Sequence, residues 1–295
     1  MIGQEGGYGR PLDSMFPELY HDGEGGETYM LGAIIGDVVG SRFEWGNIKS
    51  KEFTFFDPVC RPTDDSVMTL AVAKAILACD GDYSGLSDQA VQCMQELGRR
   101  YPHAGYGGHF RQWLRSPDPK PYHSFGNGSA MRVSPCAYAA NTMEGAIALA
   151  KVVTEVTHNH PEGIKGAEAT TAAIFMALHG NSKEEIRAVI EKDYYKLDFT
   201  LDQIRPAYTF DVTCQGSVPQ AIKAFLESTD FEDAIRNAIS IGGDSDTIAA
   251  ITGSIAEAYY GVPADIRKQA VQYLDGLQID ILNQFEEKYG RFVGR

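Results

Sequence analysis

Two short acidic segments hold the side chains best suited to chemistry. Thr63-Asp64-Asp65-Ser66 precedes one apolar run, and Gly242-Gly243-Asp244-Ser245-Asp246-Thr247 precedes another. Each places carboxylates and a hydroxyl at an expected helix N-terminus, where free amides and the helix dipole favour negative charge. Capping accounts for one acid at each end but not for several. If the two segments meet, four carboxylates share one place, and each pair at ~4 Å repels by about 4 kcal/mol at an effective dielectric of 20. One or two divalent cations would offset that repulsion. Oxygen donors without histidine or cysteine select hard ions, namely magnesium, manganese or calcium. An EF-hand is excluded, because a loop starting at Asp244 would need glycine where Ala249 stands and glutamate where Ile255 stands.

Three further segments accompany these acids. Gly32, Gly36 and Gly40 recur every four residues, so a helix here carries a smooth stripe suited to close packing, although each glycine costs about 1 kcal/mol against alanine. Asp37 on that helix is expected to pair within the core, and Glu44 just beyond it to face a cleft. In Ser124-Phe125-Gly126-Asn127-Gly128-Ser129-Ala130-Met131-Arg132 the glycines permit left-handed backbone, and several amides could converge on an anion. The alternative is an ordinary Asn-Gly turn. In Thr157-His158-Asn159-His160-Pro161 the two histidines suit hydrogen bonding better than metal ligation, since the acids already form a hard-ion site.

The elements that must position these residues are helical. Residues 66–80 are apolar on nearly every side and predict a buried central helix. Similar patterns cover 145–157 and 165–178, and Ser182-Lys183-Glu184-Glu185 is a capping box that opens another helix. Residues 220–226, 231–241, 247–260 and 266–285 supply more, while 52–56 is the best and still weak candidate for a strand. The pattern predicts one all-α domain over 30–295, preceded by a flexible tail over 1–29, which holds seven glycines. A net charge of -14 argues against a nucleic-acid backbone as the main partner, except as a modified substrate. Five scattered cysteines without a CxxC pair indicate a reducing compartment, and no apolar run reaches the ~18 residues of a membrane span. A cytoplasmic monomer is expected.

Taken together, the glycine-striped opening, TDDS, FGNGSAMR, the TH of THNHP and GGDSDT resemble, in order, the ADP-ribosylglycohydrolase family, including the dinitrogenase-reductase-activating glycohydrolases. The resemblance implies a compact, single-domain all-α fold with a dinuclear magnesium cleft, in which manganese could substitute. It implies Thr63, Asp64, Asp65, Asp244, Asp246 and Thr247 as metal ligands. The loop containing Gly126, Asn127, Gly128, Ser129, Met131 and Arg132 would cradle the diphosphate and proximal sugar, with Phe125 beside the ligand. His158 would lie beside the distal ribose, and Glu44 would be a mobile acid over the cleft. Ser66 departs from the threonine of many relatives but keeps the hydroxyl, and the first 29 residues lie outside the pattern.

The implied reaction breaks the bond at the anomeric carbon of the distal ribose, releasing ADP-ribose from a modified protein or small-molecule target. Such bonds cleave through oxocarbenium character, normally handled by paired carboxylates. Metal ions would orient the sugar and activate water, with Asp65 as the candidate general base. A nucleotide phosphohydrolase and a non-catalytic ADP-ribose binder are the alternatives, and the complete acid set favours the glycosidic hydrolase.

Overall fold

Apolar residues recur at helical spacing through most of the chain, and the structure is built accordingly. The computed structural model describes residues 27–28 and 30–292. In chain order the elements begin with strand β1 (Glu27–Thr28), then α1 (Leu31–Gly40), α2 (Asp64–Cys79), α3 (Leu86–Arg100), α4 (Gly108–Arg115), α5 (Ser134–Ala139), α6 (Met143–Glu155) and α7 (Pro161–Leu178). There follow α8 (Lys183–Asp193), α9 (Leu201–Ile204), α10 (Cys214–Leu226), α11 (Phe231–Ser240), α12 (Ser245–Tyr260), α13 (Ala264–Ala270), α14 (Gly276–Tyr289) and strand β2 (Arg291–Phe292). Strand β1 pairs antiparallel with β2, Glu27 opposite Phe292. Apart from Glu27–Thr28, the tail expected over 1–29 lies outside the described residues.

The glycine stripe decides the centre of the fold. Helix α1 is buried along its whole length and lies against α12 at backbone-to-backbone distance. A Cβ at Gly32 would stand 2.2 Å from Gly253 O, one at Gly36 2.0 Å from Ala249 O, and one at Gly40 2.6 Å from Asp246 Cα. No side chain fits at these three positions. The approach brings Asp37 of α1 to the first turn of α12, where Asp246 resides. Glu257, near the far end of α12, accepts from the Leu31 and Gly32 amides and so caps α1 across the interface. Burial pushes its carboxyl up to about 7. Helices α7, α10 and α11 pack around α12, and α2 packs against α1, α3, α5 and α14.

The expected helices form, including α8 with its reciprocal Ser182–Glu185 capping box. The pattern over 266–285 reads as one helix but breaks in two. Leu274 is extended, and Asp275 opens α14 with a capping box to Gln278. The weak strand at 52–56 does not form. Two of its carbonyls accept from guanidinium groups instead: Arg236 donates to Phe53 O, and to Lys51 O just before it, and Arg42 donates to Thr54 O.

Candidate functional site

Helix α2 opens with acids that do not cap it. Thr63 occupies the N-cap position, yet its side chain makes no capping bond. Asp37 of α1 does that work: its carboxylate accepts from the Thr63 amide at 2.8 Å, the Ser66 amide at 3.0 Å, the Thr63 hydroxyl at 2.6 Å and the Ser66 hydroxyl. The Asp64 and Asp65 carboxylates are thereby freed from capping. The Asp65 Oδ2 atom lies 3.3 Å from the Thr63 hydroxyl and 3.2 Å from that of Thr247. Its Oδ1 is buried with no hydrogen-bond partner.

The second cluster is set the same way. Gly242 and Gly243 both take left-handed backbone, φ +70° and +81°, which turns the chain into α12 where an L side chain would be strained. Asp244, at the N-cap, makes no capping bond. Its Oδ2 accepts instead from Asn127 Nδ2 at 2.7 Å. Asn47 ties the turn carrying Glu44 to the same place. Its Oδ1 accepts from the Gly243 amide at 2.8 Å, and its Nδ2 approaches the carbonyls of Phe43, Glu44 and Gly243.

These constraints bring the clusters together. Carboxylate oxygens of Asp37, Asp65 and Asp246 lie within 4.8 Å of one another, and so do those of Glu44, Asp244 and Asp246. The two groups share Asp246. Like charges at that distance repel by roughly 3–4 kcal/mol per pair at an effective dielectric of 20. Burial, and then the neighbouring carboxylates, hold Asp65 and Asp246 well above the ordinary carboxylate range, and push Asp64 up to about 8. Burial and then Asp244 also raise Glu44. Asp64 belongs to neither oxygen group; its carboxylate lies beside Gly105. An all-oxygen donor set, acids crowded enough to resist ionising, and the orphaned Asp65 Oδ1 fit a hard divalent cation.

The 126–132 loop differs from its expectation in detail. Gly126 has φ -68°, and neither Gly126 nor Gly128 is left-handed. The amides of Gly126, Asn127, Ser129, Ala130 and Met131 donate to acceptors in neighbouring backbone or to the Ser124 hydroxyl, so they do not converge on an anion. The loop lies beside His158 instead: Cβ atoms at Gly126 and Gly128 would stand 3.6 and 3.4 Å from its Nε2, an ordinary contact distance. Asn127 faces Asp244 and Ser217, and Ser129, fully buried, donates to Gly126 O.

The Arg132 side chain, 1% exposed, donates to the Thr157 hydroxyl at 2.6 Å and to Val153 O, and so braces the His158 segment from beneath. Met131 is likewise buried, its carbonyl accepting from Thr69. Phe125, 43% exposed, sits at the rim against His160, and His160 itself caps α7 through Nδ1. Trp45 and Phe210 stack at 5.2 Å on the turn after Glu44.

The structure thus joins Thr63, Asp65, Asp244, Asp246 and Thr247 with Glu44 at the edge. It adds Asp37 and Asn47. Asp37 was legible only as a core acid, and Asn47 gave no local signal because its partner lies 196 residues away.

An all-helical body with two carboxylate groups joined through one aspartate defines a narrow class. The family model for ADP-ribosylglycohydrolase matches residues 28–291. The chain is 27% identical to the ADP-ribosylhydrolase ARH3 of Homo sapiens, over 79% of this chain and 84% of that protein. It is also 27% identical to the ARH3 of Xenopus tropicalis, over 83% and 91%. The ADP-ribosylarginine hydrolase Tri1 of Pseudomonas putida is 31% identical over 51% of this chain and 42% of its own length. A solved structure, an ADP-ribosylglycohydrolase-related protein complex, shares the fold with a TM-score of 0.58 and 23% identity, over 87% of this chain and 95% of that one. This chain belongs to the ADP-ribosylglycohydrolase family, and it is a glycosidic-bond hydrolase.

Proposed function

We propose that the chain is a divalent-cation-dependent enzyme that cleaves the bond between the distal ribose of ADP-ribose and a modified protein or small-molecule target. The observation that carries this reading is the pair of carboxylate groups sharing Asp246, tied through Asn127 to the 126–132 loop. Thr63, Asp64, Asp65, Asp244, Asp246 and Thr247 would hold two magnesium or manganese ions. Bound there, such ions would align the ribose hydroxyls and lower the pKa of a water.

The chain's own groups do the rest. Asp65, whose Oδ1 is buried and unbonded, would accept the proton of the attacking water. Positive charge developing at the anomeric carbon is stabilised by the surrounding carboxylates, which the fold has oriented in advance. Asn127 holds Asp244 in place, and Glu44, half-buried at the edge, gives way as the ribose enters. The five free cysteines suit a reducing, cytoplasmic setting.

The test is a panel of ADP-ribosyl substrates linked through arginine, serine or acetate, incubated with magnesium or with chelator. Magnesium-dependent release of intact ADP-ribose from at least one of them is expected. Release of AMP instead, or turnover indifferent to chelator, would overturn the reading.

A further inference from the structure

Deep beneath the 126–132 loop, three polar side chains stand in a line that the reaction above does not use. Arg132 Nη2 donates to Thr157 Oγ1 at 2.6 Å, and Thr157 Oγ1 lies 2.7 Å from His158 Nδ1. All three residues are at most 5% exposed. A guanidinium carries donors only, so the Thr157 oxygen accepts from Arg132 and has one proton of its own to place. Two acceptors are within reach. The carbonyl of Thr154, at 3.4 Å, already accepts from the amides of Thr157 at 3.1 Å and His158 at 2.8 Å, which uses both its lone pairs. His158 Nδ1, at 2.7 Å, is the nearer.

We infer that Thr157, fixed by Arg132, donates to His158 Nδ1 and so locks the imidazole as the Nε2–H tautomer, with that proton directed at the 126–128 loop. Thr157 is then a positioning residue, and His158 presents a neutral donor that suits an acceptor oxygen of the ligand, a sugar hydroxyl or a phosphate. The opposite tautomer would leave the Thr157 proton only the long contact to a saturated carbonyl. Protonating the ring would set a second cation across one hydroxyl from Arg132 inside the core. The loop runs along that edge of the ring, since a Cβ at Gly128 would stand in ordinary contact with Nε2, at 3.4 Å. The identity of the acceptor rests on the proposed ADP-ribose reading; the tautomer does not.

Nitrogen-15 NMR of histidine-labelled full-length protein reads the tautomer directly, with the His158 signals assigned by their loss in His158→Gln. The wild type should show a protonated Nε2 and a bare Nδ1 from pH 6 to 8. Thr157→Ser, which keeps the hydroxyl, should preserve both that signature and ADP-ribose affinity measured by calorimetry. Thr157→Val should give mixed tautomers and bind ADP-ribose at least tenfold more weakly. Proton on Nδ1 in the wild type overturns the inference, whether or not any variant folds. So does a Thr157→Val protein with wild-type tautomer and affinity. A wild type with the expected tautomer that binds no ADP-ribose overturns the ligand reading and leaves the relay standing.

Discussion

Asp37 caps the helix that Thr63 begins. The two residues are 26 positions apart, yet the Asp37 carboxylate receives both the amide and the hydroxyl of Thr63, at 2.8 and 2.6 Å. A side chain from α1 thus satisfies the first turn of α2, and the acids of that turn stay available for other work. Asp37→Ala should therefore cost about 3–5 kcal/mol, because it strips four donors of a buried partner. Urea melts in chelator measure this; a loss under about 1 kcal/mol would show that water replaces the carboxylate without penalty.

Asp246 belongs to both carboxylate groups. Asp246→Asn should nearly abolish turnover while leaving the helical spectrum intact, and Asp65→Asn should do the same. In chelator, Asp246→Asn should melt above the wild type, since it removes a buried carboxyl that can ionise only against neighbouring acids on two sides. A gain of roughly 1–3 kcal/mol is expected, as for other sites strained for function. Melting at or below the wild type in chelator would show that the acids are not in conflict.

The pH dependence follows in sign. Asp64 rises from its ordinary 3.8 to about 8 in the fold, and burial and then the neighbouring carboxylates raise Asp65 and Asp246 as well. A raised carboxyl favours the folded state while protonated, so its contribution is full below about pH 4 and is lost as pH climbs through the folded value. In chelator the melting temperature should fall between pH 5 and 8, less steeply in Asp65→Asn. His158, held well below its usual range by burial and Arg132, acts oppositely, and its contribution is lost as pH drops below about 6.5. Magnesium requires the ionised acids, so the stabilisation it adds should grow with pH. Calorimetric scans with and without the ion decide this.

Gly36 meets Ala249 O so closely that a single methyl has no room. Gly36→Val should destabilise by about 3 kcal/mol or more, by prising α1 from α12. It should also weaken magnesium stabilisation, because the same contact sets Asp37 against Asp246. Normal magnesium affinity in a destabilised Gly36→Val protein would separate packing from site assembly.

Glu44 is half-buried and feels Asp244. Glu44→Ala should leave the chelated protein within about 1 kcal/mol of wild type. Substrate affinity and turnover should change together, by an amount that depends on magnesium concentration. A strongly destabilised variant with normal kinetics would make Glu44 a packing residue.

The residues themselves determined the helical class, the two acid clusters and the glycine stripe. Those signals are local: a period of 3.6, a serine three residues before a glutamate, a glycine every fourth position. Local signals also misled where a tertiary partner intervened. The pattern over 266–285 ran past the Asp275 cap, and the weak strand candidate at 52–56 gave the carbonyls of Phe53 and Thr54 to arginines from α11 and the turn after α1.

Only the tertiary structure decided which polar group answers which. Asn127 turned out to hold Asp244 across 117 residues, Arg132 to brace His158 from within the core, and Asn47 to pin Gly243 from 196 residues away. The chemical types named in the sequence were suited to ligand contact, but a buried donor bonds whichever acceptor packing delivers to it, at about 3 Å and in one direction. Sequence spacing carries no information about that delivery. For Asp37 and Asp246 it is the glycine face of α1 against α12 that makes the delivery.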